Sequence, residues 1–143
     1  MRKYCINILS LAFLALSGAM LPANASAQDS PESVEAKTIR DERKLIREGN
    51  KLFAKKNYAE AEVKYRQAIA ANADSEIGLY NLALSLAQQA GPDDSPENPA
   101  STTQQADSIF RNLVSISKNQ PLLSKAFYNL GNIAFNNQQY EQS

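Results

Sequence analysis

The chain lacks the residues on which most enzymes and metal sites depend. Its 143 residues include no histidine and no tryptophan, and its single cysteine is Cys5. It can therefore form no internal disulfide and has no cluster of soft metal ligands. Acid–base catalysis needs titratable groups that converge, and carboxylates such as the pair Asp93-Asp94 have no histidine to act with them. No glycine-rich phosphate loop is present either. We expect no enzyme, no metal, no cofactor and no small-molecule substrate.

Long hydrophobic runs are also absent, except at the N-terminus. A basic start at residues 1–3 is followed by an apolar run from Ile6 to Leu21 and by the small residues Ala25-x-Ala27. This order predicts a signal peptide over residues 1–27, with which Cys5 would be removed. The alternative is an uncleaved membrane anchor, although the run is shorter than the roughly 20 residues of a spanning helix. We expect an exported, periplasmic protein, with association to the membrane surface left open.

Neither charge sign dominates the chain, but the two signs are unevenly placed. The chain has 15 basic and 15 acidic residues, and loss of Arg2 and Lys3 would leave 13 against 15. Such a balance gives no indication of a nucleic-acid partner. Between Glu35 and Arg66 ten basic residues stand against six acidic ones, whereas from Asp74 onward three stand against seven. The early excess is either an ordinary solvated helix face or a basic face for an acidic partner or lipid headgroups.

Apolar residues recur at helical spacing along the rest of the chain. The pattern predicts an all-α protein whose helices run to about residue 56, over 58–71, over 75–90, and from about 102 and 121 onward. Asn57, Ser75 (or Asp74) and Ser101 (or Thr102) are the predicted N-caps. Residues 91–103 hold three prolines and are predicted to form a loop.

One pattern of small and aromatic residues occurs twice. Gly49-Asn50-x-Leu52-Phe53 precedes Asn57-Tyr58-x-x-Ala61, and Gly131-Asn132-x-Ala134-Phe135 precedes Gln139-Tyr140-x-x-Ser143. Two antiparallel helices pack closely only where one of them has a small side chain at the crossing. Gly49, Ala83 and Gly131 are expected at equivalent crossings. Gly49 and Ala83 lie 34 residues apart, and Gly131 follows Gly49 by 82, which is two such periods plus 14.

These residues resemble the tetratricopeptide repeat (TPR) family. After a linker and first-helix start at 28–41, the first unit spans 42–75, the second spans 76–118 with an insertion at 91–103, and an incomplete third spans 124–143. The first unit has no tryptophan and has Ala73 where proline is common in the family. The resemblance implies a right-handed solenoid of antiparallel helix hairpins, with two full repeats and a truncated third.

The third unit stops before its second helix. Phe127, Leu130 and Ala134 are therefore expected to lack the helix that would cover them. Either the chain is a piece of a longer protein, or another molecule covers this surface, which includes self-association through the third repeat.

The resemblance also implies where a partner would bind. In TPR arrays the first helix of each pair lines the concave side, and asparagines there bind the backbone of an extended peptide. The partner-binding candidates are Arg43, Asn50, Asn81, Lys125, Asn129 and Asn132. Lys125 matches a place where some members hold a C-terminal carboxylate, but Ile46 and Asn129 stand where that site needs further basic residues.

The leading hypothesis is therefore a non-enzymatic scaffold of the bacterial envelope that binds a protein or peptide. A narrower version is a similarity to the small TPR proteins of bacterial aerotolerance operons, for which a membrane-anchored envelope protein is a candidate partner. The alternative is an adaptor of the envelope or membrane surface that uses the basic first helix. An enzyme is the least favoured hypothesis.

Overall fold

The computed structural model describes residues 30–91, 94 and 101–140, with side chains to Asn137. Over these residues it contains helices and no strand, which confirms the all-α prediction there. The helices are α1 (Pro31–Ala54), α2 (Tyr58–Ala71), α3 (Glu76–Gln89), α4 (Thr102–Ile116) and α5 (Gln120–Tyr140). No helix in this part is long and apolar enough to cross a membrane. The predicted signal peptide, most of the Pro-rich loop and the side chain of Tyr140 lie outside the described residues.

Serine side chains cap the N-termini of three of the helices. Ser30, Ser75 and Ser101 accept hydrogen bonds from the backbone amides three residues later, which the first turn of a helix leaves without intrahelical partners. Ser75 and Ser101 were among the predicted caps and are confirmed. Pro31 stands at the first position of α1, where its fixed φ suits a helix start.

The prediction that the Asn57 side chain caps α2 is wrong. Asn57 precedes α2, but its side chain makes no capping hydrogen bond. Backbone bonds hold this turn instead, because the Asn57 amide donates to the Leu52 carbonyl at 3.0 Å and the Lys56 amide to Phe53 at 2.9 Å. Lys56 adopts the left-handed conformation with φ 62°, which lets the chain reverse sharply between α1 and α2.

Each helix packs against the next along the chain, and α3 also contacts α1 and α5. A single core runs through α2 to α5, and Leu52 and Phe53 of α1 pack against it. Its buried residues are Ala61, Tyr65, Leu82, Ala83, Leu86, Ala106, Phe110, Leu113, Leu122, Ala126 and Ile133.

Gly49 lets α1 and α2 approach closely. A methyl group at Gly49 would lie 2.5 Å from Cε1 of Tyr65, which is far inside van der Waals contact. Ala83 is fully buried in the core. The prediction that small residues lie at helix crossings is thus confirmed for Gly49, and Ala83 has the burial it requires.

Gly131 does not lie at such a crossing in the described part of the chain. It is exposed, and a methyl group there would meet no atom within 4 Å. The reason is that α5 packs through a different face, whose buried residues are Leu122, Ala126 and Ile133. Phe127, like Ala134, remains exposed as expected, whereas Leu130 packs against the core.

Two glutamates, 34 residues apart, make corresponding contacts. Glu42 on α1 accepts hydrogen bonds from Asn72, the C-cap of α2, and from Ser75. Glu76 on α3 accepts one from Ser117, the C-cap of α4, at 2.8 Å. Glu42 thus joins the middle of α1 to the end of α2, and Glu76 joins the start of α3 to the end of α4.

Candidate functional site

Asn50 and Asn81 lie together, where α1 meets α3. The Asn50 carboxamide oxygen accepts hydrogen bonds from Asn81 Nδ2 at 3.1 Å and from the Tyr65 hydroxyl at 2.8 Å. Burial raises the pKa of Tyr65 to about 12, so this hydroxyl stays a donor at neutral pH. Two of the predicted binding residues, Asn50 and Asn81, thus connect α1 to α3. The NH2 group of Asn50 is the part of its carboxamide that could still donate to a partner.

Asn129 has a similar role between α3 and α5. Its Nδ2 donates to the Tyr80 hydroxyl at 3.2 Å and to the Lys125 carbonyl at 2.8 Å. Asn81 and Asn129 are 48 residues apart, and each reaches back to the preceding odd-numbered helix. Both amide protons of Asn129 are engaged, so its oxygen is the atom that remains for a partner.

A polar cleft of about 340 Å³ opens between the C-terminal end of α3 and the C-terminal half of α5. Two of the predicted binding residues, Asn129 and Asn132, lie in it. Five carboxamides in total line the cleft: Gln88, Asn129, Asn132, Asn136 and Asn137. Ala87, Ala90, Gly91, Asp94, Thr103 and Ile133 complete the lining. We call this the carboxamide cleft.

The sequence reasoning found Asn132 but missed Asn136 on the same helix. Asn129, Asn132 and Asn136 follow at i, i+3 and i+7, a spacing that places them on one face of α5. This signal was available from the sequence. Neither Asn132 nor Asn136 hydrogen-bonds to any residue that the structure describes. Their carboxamides are therefore the most available groups for a ligand.

Asp94 is the one charged residue among the described residues that line the carboxamide cleft. Its carboxylate accepts hydrogen bonds from the backbone amides and the hydroxyls of Thr102 and Thr103, at distances of 2.6 to 2.9 Å. Burial raises the pKa of Asp94, but the hydrogen bonds from Thr103 and Thr102 outweigh it and leave the pKa lowered. Asp94 is thus a fixed negative charge that also caps the first turn of α4.

The remaining two predicted residues lie apart from the cleft. Arg43 is exposed on α1 and lines a shallow depression with Ile46 and Ile77. Lys125 is exposed one turn before Asn129, and its own carbonyl binds Asn129. The six predicted residues therefore do not form one site: a pair joins α1 to α3, a pair lies in the cleft, and two stand singly.

The chemistry of the carboxamide cleft is that of hydrogen bonding. Carboxamides offer both donors and acceptors without changing protonation state at ordinary pH. Among the residues described, no three His, Cys, Asp or Glu side chains come together as metal ligands would. The cleft is therefore suited to hold a polar, extended ligand.

Comparison with known proteins adds no relative to this picture. Neither a protein-family model, nor a curated protein, nor a solved structure matches the chain. The functional assignment therefore depends on the residues and geometry given above.

Proposed function

We propose that this protein is a non-enzymatic scaffold that binds an extended segment of a partner protein in the carboxamide cleft. The observation that carries the proposal is the convergence of five carboxamides on one cleft. A peptide backbone presents alternating N–H and C=O groups, and a carboxamide can pair with either. Such contacts bind a chain in extended conformation while remaining tolerant of its side chains.

The helix arrangement supports a TPR-like array as the frame for this cleft. The corresponding contacts of Glu42 and Glu76, and of Asn81 and Asn129, repeat from one hairpin to the next. A stacked array would place α1, α3 and α5 side by side, and α3 does contact both others. In that arrangement the cleft would belong to the concave side, where TPR-like proteins bind peptides. A location in the bacterial envelope is part of the same proposal, because of the N-terminal signal-peptide pattern.

Asp94 narrows the kind of peptide that we expect. Its ionised carboxylate gives the cleft a negative charge, and the described lining residues include no basic side chain. A partner segment with a lysine, an arginine or a free amino terminus near Asp94 would be favoured by about 1 kcal/mol or less in an exposed setting. Acidic segments would be disfavoured.

The test is a selection of short unstructured peptides from a random display library against the full chain. Selected peptides should lose binding at least tenfold when Asn132 and Asn136 are both changed to Ala, since a lost hydrogen bond costs about 1 kcal/mol each. Asn112→Ala, an exposed asparagine on α4 away from the cleft, is the matched control. N-methylation of the peptide backbone should abolish binding, whereas exchanges among uncharged side chains should be tolerated. Peptides that bind equally well to the double variant would contradict the proposal.

A further inference from the structure

The outward face of α1 is strongly basic. Lys37, Arg40, Lys44, Arg47 and Lys51 follow at alternating intervals of three and four residues, which puts them in one row on the helix. All five are exposed, as is Arg43 beside the row. At 1.5 Å per residue the row is about 21 Å long. We call these six residues the basic row.

No acidic side chain neutralises the basic row from within. None of its members forms an ion pair with a residue in the described ranges, where the three ion pairs involve Lys64, Arg66 and Arg111 instead. Two of the three acidic residues within the span of the row are directed elsewhere: Glu42 bonds to Asn72 and Ser75, and Glu48 pairs with Lys64 at 2.8 Å.

Glu48 borders the basic row near Lys44 and Lys51. Its pKa is lowered chiefly by the hydrogen bond from Lys64, then by the charge of Lys64, and to a smaller extent by Lys44 and Lys51. Its carboxylate is therefore already bound to α2. Asp41 is the other acid near this edge, and it lines a depression with Lys44 and Glu48. Asp41 is exposed and forms no ion pair with a described residue, so the six basic side chains of the row face one unbound acid and keep a net positive charge.

We propose that the basic row docks the protein on an anionic membrane surface, with α1 lying flat against the headgroups. Charge complementarity is the first argument, since clusters of four to eight basic residues on one helix bind anionic lipid. The second is shape, because a straight row on a convex helix fits a plane rather than a groove. The other exposed residues of this face are Ser33, Ala36 and Ala54, so contact would be with headgroups, without insertion of large apolar side chains.

The sequence before α1 gives a third argument. Only residues 22–30 separate the apolar run that ends at Leu21 from the start of α1 at Pro31. A signal peptide or an anchor at residues 6–21 would bring α1 to a membrane during export. This proposal is independent of peptide binding in the carboxamide cleft, which lies on α3 and α5, so either can fail alone.

The experiment is co-sedimentation of the full chain with phosphatidylcholine vesicles that contain about one-third phosphatidylglycerol, compared with pure phosphatidylcholine vesicles. The pure vesicles measure any binding by the apolar run at residues 6–21. We expect the phosphatidylglycerol-dependent part to weaken about a hundredfold in the triple variant Arg40→Gln, Lys44→Gln, Arg47→Gln, at about fivefold per charge. It should also fall steeply as salt rises from about 0.05 to about 0.5 M.

The matched control removes three positive charges elsewhere, in Arg66→Gln, Arg111→Gln, Lys118→Gln. All three residues are exposed, so this variant should fold and should bind vesicles within a few-fold of the wild type. An equal loss in both triple variants would show that net charge, not the basic row, drives binding, and would overturn the proposal. So would binding that does not depend on phosphatidylglycerol. Binding to polyglutamate or duplex DNA that depends on the basic row, with no binding to the vesicles, would also overturn the proposal. It would show that the partner of the row is an acidic macromolecule and not a membrane.

Discussion

The first and last helices of the described chain have outward faces of opposite kinds. On α1 the outward face carries the basic row, and Leu52 and Phe53 pack against the core on the other side of the helix. On α5 the face away from the core carries Phe127, Tyr128 and Phe135, with exposed fractions of 57, 70 and 61%. A helix with apolar residues on one face suits the surface, and one with apolar residues on two faces suits an interior. The outward face of α1 is thus charged, whereas the outward face of α5 carries large apolar side chains.

The largest expected effect separates a buried phenylalanine from an exposed one. Phe110 is fully buried, and its ring lies 5.8 Å from that of Tyr80 in an edge-on contact. We expect Phe110→Ala to lower the free energy of unfolding by about 3–5 kcal/mol. Phe127→Ala should cost less than about 1 kcal/mol, because the ring has little core contact to lose. Urea denaturation of both full-length variants measures the difference.

This pair also tests whether the α5 face is covered in solution. If Phe127→Ala destabilised the protein as much as Phe110→Ala, the face would be buried by another molecule or by a part of the chain that the structure does not describe. A second measurement, the dependence of the unfolding midpoint on protein concentration, would then identify self-association.

Local structure was the part of the fold that the sequence predicted best. The bounds of α2 were predicted to the residue, and Ser75 and Ser101 act as the expected caps. These features depend on neighbours within a few positions, which the sequence shows directly. Asn57 failed as a cap because backbone bonds in the turn took over, and side-chain identity alone does not show that competition.

Tertiary contacts were harder to predict. The apolar pattern of α5 fits two faces, and the sequence does not say which face meets α3 and α4. In the structure the face with Ala126 and Ile133 is buried, and Gly131 on another face is left without a neighbouring helix among the described residues. The binding candidates show the same limit. Asn81 was expected to face a partner, yet its side chain bonds to Asn50, a contact that forms only once α3 packs against α1.

Alkaline pH tests the burial of Tyr65 against α1. Its pKa is about 12, against about 10 in an unfolded chain, so the unfolded state ionises first. The free energy of unfolding should therefore be unaffected by this group below about pH 10 and should fall by roughly 2–3 kcal/mol as pH rises toward 12.

Denaturation curves at several alkaline pH values, compared between variants, isolate this contribution from the titration of lysines. Tyr65→Phe should lose this part of the pH dependence, although it also loses the hydrogen bond to Asn50 at every pH. Tyr128→Phe, on the exposed face of α5, is the matched control and should keep the dependence of the wild type. A Tyr65→Phe variant with the same alkaline slope as the wild type would show that Tyr65 is not buried as described.

The smallest effects come from the two glycines that the repeated pattern makes equivalent. Gly49→Ala places a methyl group 2.5 Å from the buried ring of Tyr65, so α1 and α2 must move apart, and we expect a loss of about 1–3 kcal/mol. Gly131→Ala meets no atom within 4 Å, and alanine favours a helix over glycine by about 1 kcal/mol, so this variant should be more stable than the wild type. Urea midpoints of the two variants should therefore move in opposite directions. A loss at Gly131 as large as that at Gly49 would mean that a helix packs there too, and that both ends of the molecule are built alike.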